Sequence, residues 1–449
     1  MGIYPGGKVR CMMKKIIISG IILCLLLSGC KMPEREESKT NLVLAAFEQN
    51  AELDKQVALF NQENEAYHIE VRKYNRYEDG DGIQRLQREI VSGEGPDIIN
   101  FGSEYMLSDI VGQYTEDLNP YFTEMSEEKN LEFWQNLIQA FSYKEKLYAL
   151  PTAFTLQTYV ARTETVGERE SWSIEELMQC YEENKKGKDF MLYPGETKKD
   201  VFGTLLTGSI DNYVDWEKGT CRFDSEEFRQ ILEFANQFPA ALTITEDCSP
   251  MEIFQNGKAL LYPLLLRTFY DTSAAEIIMG EPVTYVGYPV SEKTVSGTVI
   301  KASSDVWAIS STSKNKEAAW EFISRFYQIP YQEEIKEGLP VNKSAFEKMC
   351  KEAMQTEYEE KNGESVPIEK AWVSFEGEQS IPIYQISEAQ ADSLKKVVGG
   401  AAVFSGYDSG LHTILLEESE AYFAGDKTLD ETVEIMQKRA VLYMNEKIK

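Results

Sequence analysis

Groups able to do chemistry are sparse in this chain. Only His68 and His412 occur in 449 residues, too few for a histidine-rich metal centre. His68 lies in the strand-like run Tyr67-His68-Ile69-Glu70-Val71, where a packed or surface imidazole is the simpler reading. There is no Gly-x-Ser-x-Gly elbow, no His-Glu-x-x-His and no glycine loop for phosphate. Ser311-Thr312-Ser313-Lys314 satisfies the Ser-x-x-Lys pattern of penicillin-recognising enzymes, but Ser-Asp-Asn and Lys-Thr-Gly partners are missing. Asp79-Gly80-Asp81-Gly82 lacks the remaining oxygens and distal Glu of a calcium loop, and turn chemistry accounts for it. Past Cys30, the cysteines Cys180, Cys221, Cys248 and Cys350 are far apart without a Cys-x-x-Cys, which excludes a zinc pattern; their pairing stays open. Acids number 74, so counting cannot exclude a glycosidase pair, whose separation of ~5 to 9.5 Å decides the matter. The expectation is a chain that is not an enzyme and holds no cofactor and no metal.

A second chemical feature is Leu27-Ser28-Gly29-Cys30. Lys14 and Lys15 precede the apolar run Ile16 to Leu27, and small residues close it, the layout of a secretory signal. The run is short of the roughly 20 apolar residues that a membrane span wants. A cysteine directly after Leu-Ser-Gly looks like the bacterial lipobox, which implies a diacylglyceryl group on Cys30 and an anchored protein on the extracytoplasmic face of the cell membrane. Met1 to Cys11 fits neither part, so translation is expected to start at Met12 or Met13. The expected segmentation is a signal peptide over 1–29, then the lipidated cysteine and a polar tether over 30–40.

A net charge of −28 repels nucleic acid and anionic headgroups, and no basic patch offsets it. The hydrophobic fraction of 43% is ample for a core. Length alone suggests about three domains at ~150 residues each and also admits two large lobes.

The elements that must position any site read as alternating strands and helices. Asn41 to Phe47 is a short apolar run, Ala51 to Asn61 has helical spacing, Tyr67 to Tyr74 alternates, Gly82 to Ser92 is amphipathic, and Pro96 to Phe101 is strand-like. That rhythm predicts a parallel α/β sheet with ligands at the carboxyl ends of its strands. Further on, Asp305 to Ile309 reads as a strand and Lys314 to Phe326 as a helix with Trp320 on its buried face. Asp224 to Phe238 reads as a helix capped by Asp224. Thr428 and Glu431 form a capping box for a final helix. The acidic run around Glu352 to Glu364 reads as a solvated excursion.

Several of these segments resemble bacterial extracellular solute-binding proteins, in particular the carbohydrate-binding lipoproteins of ABC importers. They are Phe60-Asn-Gln-Glu-Asn64 before Ile69-Glu-Val71, and Glu89-Ile-Val-Ser-Gly-Glu-Gly-Pro-Asp-Ile-Ile99. Glu145-Lys-Leu-Tyr-Ala-Leu-Pro151 follows, with Glu145 at the commonest glycine. Trp172 to Leu177, Asn256 to Ala259, Val286 to Pro289, Ala318 to Phe322, Leu339 to Lys343 and Tyr422 to Lys427 complete an ordered series. The resemblance implies an α/β, two-lobed periplasmic-binding-protein-like fold of type II, with a ligand cleft between hinge-linked lobes. It places crossings near Pro151 to Phe154, Ser296 to Ser303 and Leu339 to Lys343. The lobes are then 41–152 plus 304–340, and 153–303 plus 341–449.

Sugars present apolar C–H faces and rings of hydroxyls, which receptors meet with aromatic, carboxylate, amide and guanidinium groups. Candidates at expected strand ends and crossings are Gln49, Asn50, Phe101, Ser103, Glu104, Phe154, Tyr193, Tyr262, Arg267, Asp305, Trp307 and Trp372. For Trp307, core and cleft are equally compatible with the pattern. Phe101 and Glu104 stand where maltodextrin-binding relatives carry an aromatic and an acid. The implied partners are a small-molecule solute, most simply a carbohydrate, and ABC permease subunits, with the receptor a monomer anchored through Cys30. The alternatives are an extracellular glycan hydrolase and a non-transport surface sensor or adhesin.

Overall fold

The computed structural model describes residues 39–47, 50–74, 82–102, 109–143, 145–187, 189–216, 218–242, 250–290, 296–374, 380–404 and 408–447. The signal segment, Cys30, the tether up to Ser38, Gln49, Ser103, Glu104, the Asp79–Gly82 turn up to Asp81, and Cys248 lie outside the described residues, while Thr40, expected in the tether, begins the first strand.

Two sheets organise the chain. The first has five strands in the order Tyr67–Lys73, Thr40–Ala46, Ile98–Asn100, Val306–Ile309, Leu150–Pro151. Its first three strands are parallel, as crossover helices require, and Val306–Ile309 returns antiparallel. Helix Ala51–Glu63 buries Leu53, Val57 and Phe60, and helix Gly82–Ser92 buries Leu86 and Ile90. Ile98–Asn100 is shorter than the run Pro96 to Phe101 suggested; Pro96 has no N–H for a ladder. Asp97 has a separate task. Its carboxylate accepts from Val43 N–H at 3.0 Å and from the Ser313 hydroxyl at 2.6 Å. The Ser-x-x-Lys segment is therefore a turn fastened to the first sheet, with Ser313 committed to Asp97.

The second sheet has six strands around the 10-residue strand Ala153–Arg162. Tyr262–Leu266, Val283–Tyr285, Ser296–Ala302 and Leu339–Pro340 all pair antiparallel with it, and Ala401–Phe404 extends the sheet in parallel beyond Ser296–Ala302. Its alternation separates two cores. Phe154, Leu156 and Val160 join a cluster continuous with the first sheet, while Tyr159 and Ala161 face a second cluster with Trp172, Phe202, Phe228 and Met436.

Three differences from the expected elements have local causes. The helix expected over Lys314 to Phe326 is α-helical only over Lys316–Ile323 and tightens into a 3₁₀ turn over Ser324–Tyr327. Ser225, not Asp224, caps the helix Glu226–Ala235, accepting from Phe228 N–H at 3.3 Å. The stretch after Glu352 continues a helix to Ala353 and then forms a hairpin, Tyr358–Lys361 with Glu364–Pro367, whose acids are exposed. The final helix, Leu429–Lys447, follows the Thr428–Glu431 box: Glu431 N–H donates to the Thr428 hydroxyl at 3.3 Å and Thr428 N–H to the Glu431 carboxylate at 2.8 Å.

The chain crosses between sheets with only Thr152 separating Leu150–Pro151 from Ala153–Arg162. It returns over Ser303 to Asp305, between Ser296–Ala302 and Val306–Ile309. These two passages are stitched together. Thr152 N–H donates to Asp305 O at 3.0 Å, Ser303 N–H to Ala153 O at 3.1 Å, and Ala153 N–H to the Ser304 hydroxyl at 3.0 Å. The fully buried Gln332 donates to Thr152 O at 2.8 Å and accepts from Asn342 N–H at 2.9 Å, bringing the chain around Leu339–Pro340 into the same network. Buried amides of this kind persist only when both ends are satisfied.

Candidate functional site: the cleft beside the crossings

Phe101 N–H donates to Val306 O at 2.9 Å and Phe47 N–H to Asn100 O at 3.1 Å, so the carboxyl ends of the first-sheet strands abut the crossings. Three rings gather there, with Phe47 5.6 Å from Tyr74 and stacked 6.0 Å from Phe101 between centroids. Behind them Arg85 sits 4.8 Å over the Tyr74 ring, and Glu89 accepts from the Tyr74 hydroxyl, from Arg72 at 2.8 Å and from Arg85 at 2.7 Å. Burial works to raise the Glu89 carboxyl, but these donors overcome it and hold the group below the usual carboxylate value.

The second wall is the odd-numbered face of Ala153–Arg162 at its crossing end. Thr155 and Gln157 point from it. Lys301 lies opposite Thr155, and Leu265 and Val299 lie opposite Gln157. Directly opposed residues share a face in an antiparallel pair, so these side chains form one surface. Burial lowers the Lys301 ammonium from its ordinary value. Deeper along the same face, the Tyr159 and Tyr193 hydroxyls meet Thr204 Oγ1 at 3.0 and 3.1 Å, and Tyr288 packs edge-on to Tyr159 at 4.9 Å. Aromatic rings, an amide, a hydroxyl and an ammonium face the same crossing, a set suited to a hydroxyl-rich solute.

The sequence candidates fall at different depths. Asn50 caps helix Ala51–Glu63, accepting from Leu53 N–H at 2.8 Å. Phe101 is 4% exposed and belongs to the ring group of the first wall. Asp305 is 7% exposed and accepts from the Asn100 amide at 2.9 Å inside the crossing network. Arg267 follows the strand Tyr262–Leu266 immediately and is exposed, one step beyond the Leu266–Leu156 pair and thus beside Thr155. Tyr262 begins that strand instead of ending it; opposite Val160, it faces away from Gln157 and packs on Phe254 at 5.5 Å. Phe154 is fully buried on the even-numbered face. Trp307 is also fully buried, stacked 4.5 Å from Phe326. Tyr193 lies in the second core, packed 5.4 Å from the Tyr159 ring and sharing Thr204 with it. Trp372, 65% exposed, stands on the hairpin Ala371–Val373 with Ile381–Ile383, apart from the crossings.

A family model described as bacterial extracellular solute-binding protein matches residues 55–360. The chain belongs to that family. Among solved structures, the fold is shared with the sugar-binding protein MalE from Xanthomonas citri at 15% identity and a TM-score of 0.56, covering 91% of this chain and 98% of that one. It is shared with a periplasmic oligogalacturonide-binding protein from Yersinia enterocolitica at 13% identity and a TM-score of 0.59, covering 91% and 100%. An ABC substrate-binding protein from Listeria monocytogenes, solved in complex with cycloalternan, aligns at 14% identity and a TM-score of 0.51, covering 91% and 99%. None of the curated proteins matches the chain. The architecture of this solute-binding protein is thus the two-lobed type II fold, and none of the helices among its described residues is long and apolar enough to cross a membrane.

Thr155, Gln157 and Lys301 are absent from the sequence candidates, although a signal for two of them exists. In Ala153-Phe-Thr-Leu-Gln-Thr158, apolar and polar residues alternate directly after a crossing, which marks Thr155 and Gln157 as one face. Lys301 is assigned to that face only by strand register.

Proposed function

We propose that this solute-binding protein is the receptor of an ABC importer, held at the membrane by diacylglyceryl on Cys30, and that its solute is a sugar or oligosaccharide. The observation that carries this reading is the placement of Phe47, Phe101, Thr155, Gln157 and Lys301 on two walls flanking one double crossing. Solute bridging both walls favours the closed state by its differential affinity, and the closed surface is what the permease meets. The lobes hinge as 41–152 with 304–340 against 153–303 with 341–449. Two acyl chains anchor stably where one is marginal, and the polar residues from Lys31 to the first strand leave reach to the permease. The sugar preference rests on the cleft chemistry and on the sugar-binding proteins that share the fold.

A thermal-shift screen of the purified mature protein tests it, using mono- and oligosaccharides that include cycloalternan and oligogalacturonides. A true solute at a hundredfold excess over Kd stabilises by ~2.7 kcal/mol, an easily read rise in Tm. No shift with any saccharide contradicts the carbohydrate reading, and product formation during incubation contradicts a purely binding role.

A further inference from the structure

A cavity of about 420 Å³ lies at the end of the second sheet remote from the crossings. Thr163, Val283, Thr284, Tyr285 and Ser296 form its sheet side, and helix Glu388–Gly400 covers it with Ala389, Ser393, Lys396, Val397 and Gly400. Those helical positions recur at three and four residues and so share one face. The volume falls in the range of small-molecule sites, ~300 to 1,000 Å³. Thr163 follows the far end of the strand Ala153–Arg162. At ~3.3 Å per residue that strand puts roughly 30 Å between the cavity and the Ala153 crossing. A ligand here cannot be the one that bridges the cleft.

The lining has two charged ends. At one, Glu276 accepts from the Gln390 amide, while Gln390 also closes the capping box of the helix with Ser387. Glu276 is therefore held at the helix start with its second oxygen uncommitted among the described residues. At the other end stand Arg169 and Lys396, with Glu168 and Glu170 flanking Arg169 in the chain. Arg169 spends Nε on Val166 O at 2.8 Å and lies 5.9 Å over the Trp172 ring, which leaves its terminal nitrogens without a partner among the described residues. Lys396 pairs with the exposed Glu170 at 3.0 Å on the rim. Along the helix, Gln390 and Lys396 are ~9 Å apart at ~1.5 Å per residue. One or two residues of a small peptide, at ~3.3 to 3.6 Å each, span that interval with a hydrogen bond at either end.

We propose that this cavity binds a zwitterionic solute, a free amino acid or dipeptide, with its ammonium on Glu276 and its carboxylate on Arg169 and Lys396. Tyr285 and Val397 supply the wall for its side chain. The second lobe then carries a ligand site independent of hinge closure.

The test is a thermal-shift and calorimetric titration of the mature protein with free L-amino acids and dipeptides, alongside N-acetylated amides of the same residues. Free zwitterions should raise Tm in a saturable way and the blocked compounds should not. Glu276→Gln and Arg169→Gln should each weaken binding at least tenfold, and Ser393→Trp, which fills the cavity from the helix, should abolish it even if one of the other variants folds poorly. Gln157→Ala in the cleft should leave it unchanged. No shift with any zwitterion, or binding that survives Ser393→Trp, or binding lost in Gln157→Ala, overturns the proposal. None of these results bears on saccharide capture in the cleft, which is read separately.

Discussion

The Asn100 amide donates to Asp305 Oδ1 at 2.9 Å, joining the end of a first-sheet strand to the chain returning from the second sheet. Both residues are buried, at 0% and 7% exposure. The Asn100 side-chain oxygen accepts from Gly102 N–H at 2.9 Å, so one side chain shapes the turn after the strand and the crossing beside it.

Asn100→Ala removes a charge-assisted donor from a buried carboxylate, a contact type that contributes about 1.5 to 3 kcal/mol. Urea unfolding should show a loss of that order with an unchanged m-value. A loss below the spread of ordinary surface substitutions would mean that Asp305 is satisfied without Asn100.

Glu145 stands where the family's commonest residue is glycine, and its φ of +63° explains that preference. The left-handed region costs a non-glycine residue roughly 1 to 2 kcal/mol. Glu145→Gly should therefore stabilise the protein by about 1 kcal/mol, seen as a higher urea midpoint, despite the greater freedom of glycine in the unfolded chain.

Glu196 is 4% exposed, accepts from Leu192 N–H at 3.2 Å through one oxygen, and has no hydrogen bond on the other among the described residues. Burial pushes its carboxyl up to about 7. The folded state thus holds a proton that the unfolded chain releases near pH 4.5, so stability is intact below that value and falls as pH rises toward 7. Glu196→Gln should flatten this dependence and make the protein more stable than wild type at pH 8, by on the order of 3 kcal/mol. Chemical denaturation at pH 5 and pH 8 reads the difference; equal stabilities of the two proteins at pH 8 would contradict it.

Cys30→Ala should leave solute affinity unchanged and move the receptor from the membrane fraction to the medium or periplasm. Fractionation of cells expressing each form checks this, and retained anchoring would rule out Cys30 as the attachment point.

The alternation of strands and helices from Asn41 to Phe101 was readable because each segment carries its own period, and the capping box at Thr428 because its bonds are local. Depth was not. Phe154 and Thr155 are neighbours, yet they lie on opposite faces of their strand, and a shift of one residue exchanges them. Trp307 sits in a strand whose two faces are both covered, so its alternation carries no information on which side is wet. Arg267 gains its place through the Leu266–Leu156 register just before it, a long-range pairing that no local pattern encodes.

Solute capture between the two walls is the central claim, and calorimetry on Gln157→Ala and Lys301→Ala tests it most directly. With the saccharide that gives the largest thermal shift, both variants should bind at least tenfold more weakly than wild type while keeping its solute-free Tm. Wild-type affinity in both variants would place the solute elsewhere and contradict the account.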